Sequence, residues 1–176
     1  AVFSLLLKPE SVLTVDNPHL LNLLRDCQFD TIYHEHYSYL SLLAVERIMA
    51  AHGLRVFDVE QLPTHGGSLR YFIARAGSDH ADGPGLARVR AAQAAAGLDG
   101  DAAYQGFAPR VQAICDGLNV WLDAQKAAGR TVAAYGAAAK GNTLLNAAGV
   151  RAADGRIAFA CDKAPSKQGR LLPGSR

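Results

Sequence analysis

The sequence predicts an α/β fold, and three observations carry that prediction. Residues 131–135 (TVAAY) read as a strand, GAAAKGN as a glycine-containing turn, TLLNAAG as a helix and 156–161 (RIAFAC) as the next strand. Strand, helix and strand in this order imply a right-handed parallel crossover, the opening half of a Rossmann-like fold. Upstream, LRVFDVEQL and the segment at about 68–75 read as two strands joined by a short glycine turn, which makes them antiparallel neighbours. Between these two regions the apolar residues recur at helical spacing.

The elements follow in chain order. AVFSLLL reads as the tail of a helix, Lys8-Pro9-Glu10-Ser11 as a tight turn and about 12–16 as a buried strand. A strand fed by a helix from its first residue belongs in a larger α/β sheet, so the chain reads as an internal piece of something longer. It stops at LLPGSR with no closing helix or strand. Residues 17–30, with four leucines after Asn17-Pro18, suggest a short helix or ordered loop. From Ser38 the sequence reads as an amphipathic helix that ends at Gly53, a residue suited to a helix terminus. GSDHADGPG at 77–85 is turn-rich and is the expected domain boundary. Beyond it, LARVRAAQAAAGL and a longer stretch ending at Gly129 read as helices. In the second, Phe107, Val111, Ile114, Leu118, Trp121 and Leu122 are expected to pack in a core or against another domain.

Composition excludes several classes. Hydrophobic residues make up 49% and charged residues 19%, which is a globular balance and not a disordered one. Lys and Arg number 18 against 16 Asp and Glu, and a net charge of +2 gives no concentrated basic field for nucleic acid or a membrane surface. No apolar run approaches the roughly 20 residues that span a bilayer. Cys27, Cys115 and Cys161 are odd in number and widely spaced, so neither a disulfide framework nor a zinc finger is indicated. A reducing, cytoplasmic setting is the default expectation. Residues 1–7 lack the basic start and cleavage site of a secretory signal.

Three segments carry residues suited to chemistry. In Tyr33-His34-Glu35-His36-Tyr37 two histidines flank a carboxylate between two phenols. Such a cluster supplies a base near neutral pKa, a group to orient it and a donor for a developing oxyanion. If the segment is extended, His34 and His36 share one face; in a turn that split fails. A metal is not expected: His-Glu-His lacks the four-residue spacing of H-E-x-x-H, and Cys27 has no second thiol nearby. The bland alternative is a polar entry to the next helix. The second segment, Thr64-His65-Gly66-Gly67-Ser68-Leu69-Arg70, has two glycines that allow close backbone approach and an arginine for an anion; its alternative is a plain hairpin turn. The third, Tyr135 to Thr143, leaves a strand and opens a helix, where free N–H groups favour phosphate. It misses the phosphate loop GxxxxGK[ST] at Asn142 and the dinucleotide pattern GxGxxG at Ala138. Asp162 follows the next strand at the place of a ribose-reading acid; Lys163, Lys167 and Arg170 add local positive charge, or else those three belong to a solvated loop.

Taken together, FDTIYHEHYSYLSL, PTHGGSLR, YGAAAKGNTLLN and CDKAPSKQGRLLPG resemble, in this order, the C-terminal half of sugar C-methyltransferases acting on nucleotide-linked deoxyketosugars. The resemblance covers nearly the whole chain. It implies the C-terminal strands of a class I methyltransferase sheet (residues 1–76), a linker (77–85) and an incomplete Rossmann-like C-terminal domain (86–176). S-adenosylmethionine would be the methyl donor, bound mainly by residues outside this chain, and zinc would belong only to a missing N-terminal domain. The resemblance places Tyr33, Glu35 and His36 at the active site: His36 as base, Glu35 as its orienting partner, Tyr33 as donor to the enolate oxygen. His34, Tyr37, His65, Arg70, Gly136, Lys140 and Asn142 would contact the nucleotide-linked ketosugar. The alternative is a non-catalytic nucleotide-sugar- or dinucleotide-binding Rossmann module using the turn at 136–143. Oligomeric state is open.

Overall fold

A computed structural model describes residues 2–175. Its helices are α1 (Val2–Leu6), α2 (Leu20–Arg25), α3 (Leu42–Ala50), α4 (Pro84–Ala95), α5 (Ala102–Gln105), α6 (Phe107–Ala127) and α7 (Ala139–Ala147). Its strands are β1 (Leu13–Pro18), β2 (Leu54–Leu62), β3 (Ser68–Arg75), β4 (Ala133–Tyr135) and β5 (Phe159–Cys161). The mixed α/β class expected from the sequence holds, with one antiparallel and one parallel sheet. The chain divides into two compact units, residues 1–28 with 38–106, and residues 29–37 with 107–176.

The first unit is built on the order β1-β3-β2. β3 runs antiparallel to both neighbours, so β1 and β2 run the same way on either side of a reversed strand. Alternation sets the faces. Leu69, Tyr71 and Ile73 of β3 are wholly buried and pack with Leu54, Val56 and Val59 of β2 beneath Leu42 and Val45 of α3 and Leu86 and Val89 of α4. α3 starts later than Ser38 because Ser41 caps it: the Ala44 N–H donates to Ser41 Oγ at 3.1 Å. Arg75 ends β3 by donating to the Ser4 and Leu7 carbonyls, which lie at the end of α1.

The turn-rich stretch at 77–85 is tied down and does not separate the units. Arg55 on β2 donates to the His80 carbonyl and forms an ion pair with Asp82. The His80 ring stacks on Phe57 at 4.7 Å between centroids. The Gly83 N–H donates to the Phe57 carbonyl at 2.7 Å, beside the bulge that interrupts the β2–β3 register between Val56 and Asp58. α4 is thereby pressed onto β2, with the Gly85 N–H on Asp58 Oδ1 at 3.1 Å. Residues 38–106 thus stay with the first compact unit, and α4 contributes Leu86 and Val89 to its core.

In the second unit β4 and β5 pair in parallel, Ala133 opposite Phe159 and Tyr135 opposite Cys161, with α7 in the crossover between them. α6 buries Cys115 and Leu122, two turns apart. Ile114 and Trp121, expected in a core, are 42% and 51% exposed, because the buried stripe lies one position further round the helix. Arg156 joins α6 to the following loop through Asn119 Oδ1 (2.7 Å) and Asp154 Oδ2 (2.9 Å).

Candidate functional site

The Tyr33–Tyr37 segment folds with the second unit. Phe29–Thr31 form a short 3-10 turn that packs against α7, and Phe29 and Thr31 are buried there. The chain then reverses: the His36 N–H donates to the Tyr33 carbonyl at 3.0 Å. The extended alternative, with both histidines on one face, is thus replaced by a turn. It brings the Tyr33 and His36 rings edge to face at 5.3 Å, while the His34 centroid stands 6.3 Å from that of Tyr33. Tyr33 and His36 are half-buried; His34, Glu35 and Tyr37 are exposed, Tyr37 almost completely.

The same unit holds the Gly136 turn. Gly136 takes φ +92, a backbone favouring glycine, and its N–H extends the parallel ladder to the Cys161 carbonyl at 2.7 Å. Asp162 closes the turn. Its carboxylate accepts from Ala137 N (2.7 Å), Ala164 N (2.8 Å) and Lys167 Nζ (3.1 Å). These donors, the two backbone N–H groups first, pull its pKa down to about 2. Asp162 is thereby committed to the fold of the loop. A cleft of about 460 Å³ opens beyond the carboxyl ends of β4 and β5, lined by Ala137, Asp162, Lys167, Arg170 and Leu171 among others. Gly136, Lys140 and Asn142 are not among its lining residues. Asn142, in the first turn of α7, has a buried side-chain oxygen without a hydrogen-bond partner.

The Thr64–Arg70 segment belongs to the first unit and is filled by its neighbours. His65 (φ +54), Gly66 (φ +90) and Gly67 (φ +111) follow one another in left-handed backbone. Gln28 Nε2 donates to the Gly66 carbonyl at 3.0 Å and Asn22 Nδ2 to the same oxygen at 3.4 Å. A Cβ on Gly67 would stand 2.2 Å from Asn22 Nδ2, so the glycines serve close approach by a side chain of this chain. Arg70, expected to meet an anion, is paired with Asp16 and Glu60 in its own register row. His65 is exposed and makes no wall of the adjoining cleft. That cleft is lined instead by His19, a residue the sequence reading passed over; its signal was a lone histidine following a strand.

The C-methyltransferase C-terminal domain family matches residues 63–176. A C-methyltransferase of Streptomyces niveus, NovU, is 40% identical over 173 residues. The chain belongs to the C-methyltransferase family. The alignment covers 98% of this chain and 41% of NovU, so the chain spans less than half the length of that relative. The family match begins at Pro63, so it takes in the Thr64–Arg70 turn as well as the parallel unit. Among the described residues no group of three or more His, Cys, Asp or Glu side chains is placed to hold a metal ion, and no helix is long and apolar enough to cross a membrane.

Proposed function

We propose that the protein carrying this chain is an S-adenosylmethionine-dependent C-methyltransferase that methylates the carbon beside the ketone of a nucleotide-linked deoxyketosugar through an enolate. The observation that carries the reading is the Tyr33–His36 pair, a half-buried base and a phenol held edge to face by one turn, in a chain of C-methyltransferase ancestry. An imidazole nitrogen of His36 takes the proton from the carbon next to the ketone. The electron pair of that C–H bond becomes the enolate, and its oxygen receives a hydrogen bond from the Tyr33 hydroxyl. Glu35 sits at the exposed apex of the turn, where substrate closure would be needed to bring it to His36. Gly136, Lys140 and Asn142 serve the nucleotide end, with Arg170 offering a cation at the cleft beyond β5.

S-adenosylmethionine supplies an electrophilic sulfonium methyl when bound. The residues described do not fit its cradle: the glycine pair of the first unit is packed by Asn22 and Gln28, and no step toward the donor is assigned to this chain.

The test is deuterium exchange at the carbon beside the ketone, followed with methyl transfer in the full-length protein. His36→Gln should abolish both while substrate binding persists. Normal turnover in that variant would remove His36 as base. Exchange that survives while methyl transfer is lost would move His36 to a later step.

A further inference from the structure

A cleft of about 340 Å³ lies between α3 and the C-terminal half of α4, wholly within the first unit. That volume falls in the range of small-molecule sites. Its walls form for local reasons. α4 ends in left-handed backbone at Gly97 (φ +67). The Gly97 N–H donates to the Ala94 carbonyl at 2.9 Å and the Leu98 N–H to the Gln93 carbonyl at 3.1 Å. This paired closure folds Leu98 back along the helix it has just left, and Leu98 is buried there. Leu42 and Leu43, in the first turn of α3, form the other apolar wall.

One polar group in this apolar setting is not used by the fold. Gln93 lines the cleft and is 4% exposed. Its Oε1 accepts the Leu42 N–H at 2.9 Å, one of the donors that a helix start leaves unpaired. That bond also fixes which way round the amide lies, because only its oxygen can accept. Gln93 Nε2 is left buried with no hydrogen-bond partner. A buried amide donor is rarely left so, and this one calls for an acceptor.

Charge at the mouth narrows the choice of acceptor. Arg90 donates to Glu46 Oε1 from both Nε and Nη2, so its cation is spent. Asp99 stands exposed on the same rim. Two carboxylates against one paired cation repel a phosphate or carboxylate ligand. A neutral carbonyl oxygen fits instead. It accepts without donating, the complement of Nε2, which donates without accepting. An apolar ring attached to it would displace water from Leu42, Leu43 and Leu98.

We propose that this cleft is a ligand site for a compact, uncharged apolar ring bearing a carbonyl, whose oxygen accepts from Gln93 Nε2. The occupant bridges α3 and α4. The site lies in one unit and does not rest on the methyl-transfer reading above.

The test uses the full-length protein labelled with ¹⁵N in its glutamine side chains, and two probes of similar size, acetophenone and benzoate. The Gln93 amide resonances are identified by cross-relaxation with the Leu42 N–H. Acetophenone should shift them saturably, and benzoate should leave them in place. Gln93→Glu keeps an acceptor for Leu42 and removes the amide donor, so it should weaken acetophenone at this cleft by about tenfold or more. Should that variant not fold, Ala94→Leu decides the matter. It is an exposed change to a good helix former that fills the cleft, and it should abolish the shift. Gln93 resonances unmoved by acetophenone, moved equally by benzoate, or still moved in Ala94→Leu overturn the proposal.

Discussion

The Arg70 guanidinium is held by Asp16, its direct opposite on β1: Nε stands 3.0 Å from Oδ1 and Nη2 3.2 Å from Oδ2. Glu60, opposite on β2, takes Nη1 at 3.3 Å. One cation is thus shared by two carboxylates across three strands, and both raise its pKa, Asp16 most. The row is solvent-exposed, so its contribution to stability is small and salt-dependent. Arg70→Gln is expected to leave pyrophosphate binding unchanged and to lower the unfolding midpoint slightly at low salt, with the difference shrinking in 1 M salt. Titration calorimetry and thermal melts at two ionic strengths check both outcomes.

Gly85 reverses the usual propensity rule. Replacing glycine by alanine inside a helix ordinarily stabilises by about 0.5–1 kcal/mol. Here a Cβ would lie 1.8 Å from the Val59 carbonyl oxygen, which is backbone and cannot swing away. Gly85→Ala should therefore destabilise the first unit, by about 1–3 kcal/mol as α4 is pushed off β2. Gly67→Ala meets the Asn22 side chain and also strains φ, so Asn22→Ala should recover only part of its loss. Urea unfolding of the single and paired variants measures this.

Asp162 gives the second unit an acid limit. Its pKa is about 2 in the folded chain, below the ordinary 3.8, so its contribution is complete above about pH 4 and is lost as pH falls through that window. Asp162→Asn should remove this dependence and loosen the Ala137 and Ala164 amides. Hydrogen exchange of those two amides at pH 3 and pH 6 reads it.

His19 acts in the opposite range. Its folded pKa is lowered below 6.5, so the unfolded chain binds the proton first as pH falls. Stability should decline from about pH 6.5 downward until the folded ring also protonates. His19→Gln should flatten that decline in melts taken between pH 7 and pH 5.

Tyr71 lies fully buried on β3, and its hydroxyl closes no hydrogen bond of normal geometry, although the Asn17 side chain beside it tempers the upward shift that burial gives its pKa. Tyr71→Phe should leave the unfolding midpoint unchanged or raise it, since it deletes an unpaired polar group.

Local patterning in the chain defines four of the strands and two of the three strand pairings. Alternation in 54–62 and 68–75 defined two strands, and a short turn between them required the antiparallel pairing observed. The strand–turn–helix–strand run at 131–161 required the parallel pair of β4 and β5. These are local signals, each contained in a window of residues. Tertiary structure decided where the units part and which candidates are free. The stretch at 77–85 has the composition of a linker, yet Arg55 and Phe57, more than twenty residues upstream, hold it to β2. Tyr33 and His36 meet because Phe29–Thr31 dock on α7, over a hundred residues away. Arg70 looked like an anion ligand until its register partners proved to be acids, and His19 looked like nothing until burial left its Nε2 unpartnered. Partners distant in sequence leave no periodic trace, so only the folded chain reveals which polar groups are spent on the fold and which remain for a ligand.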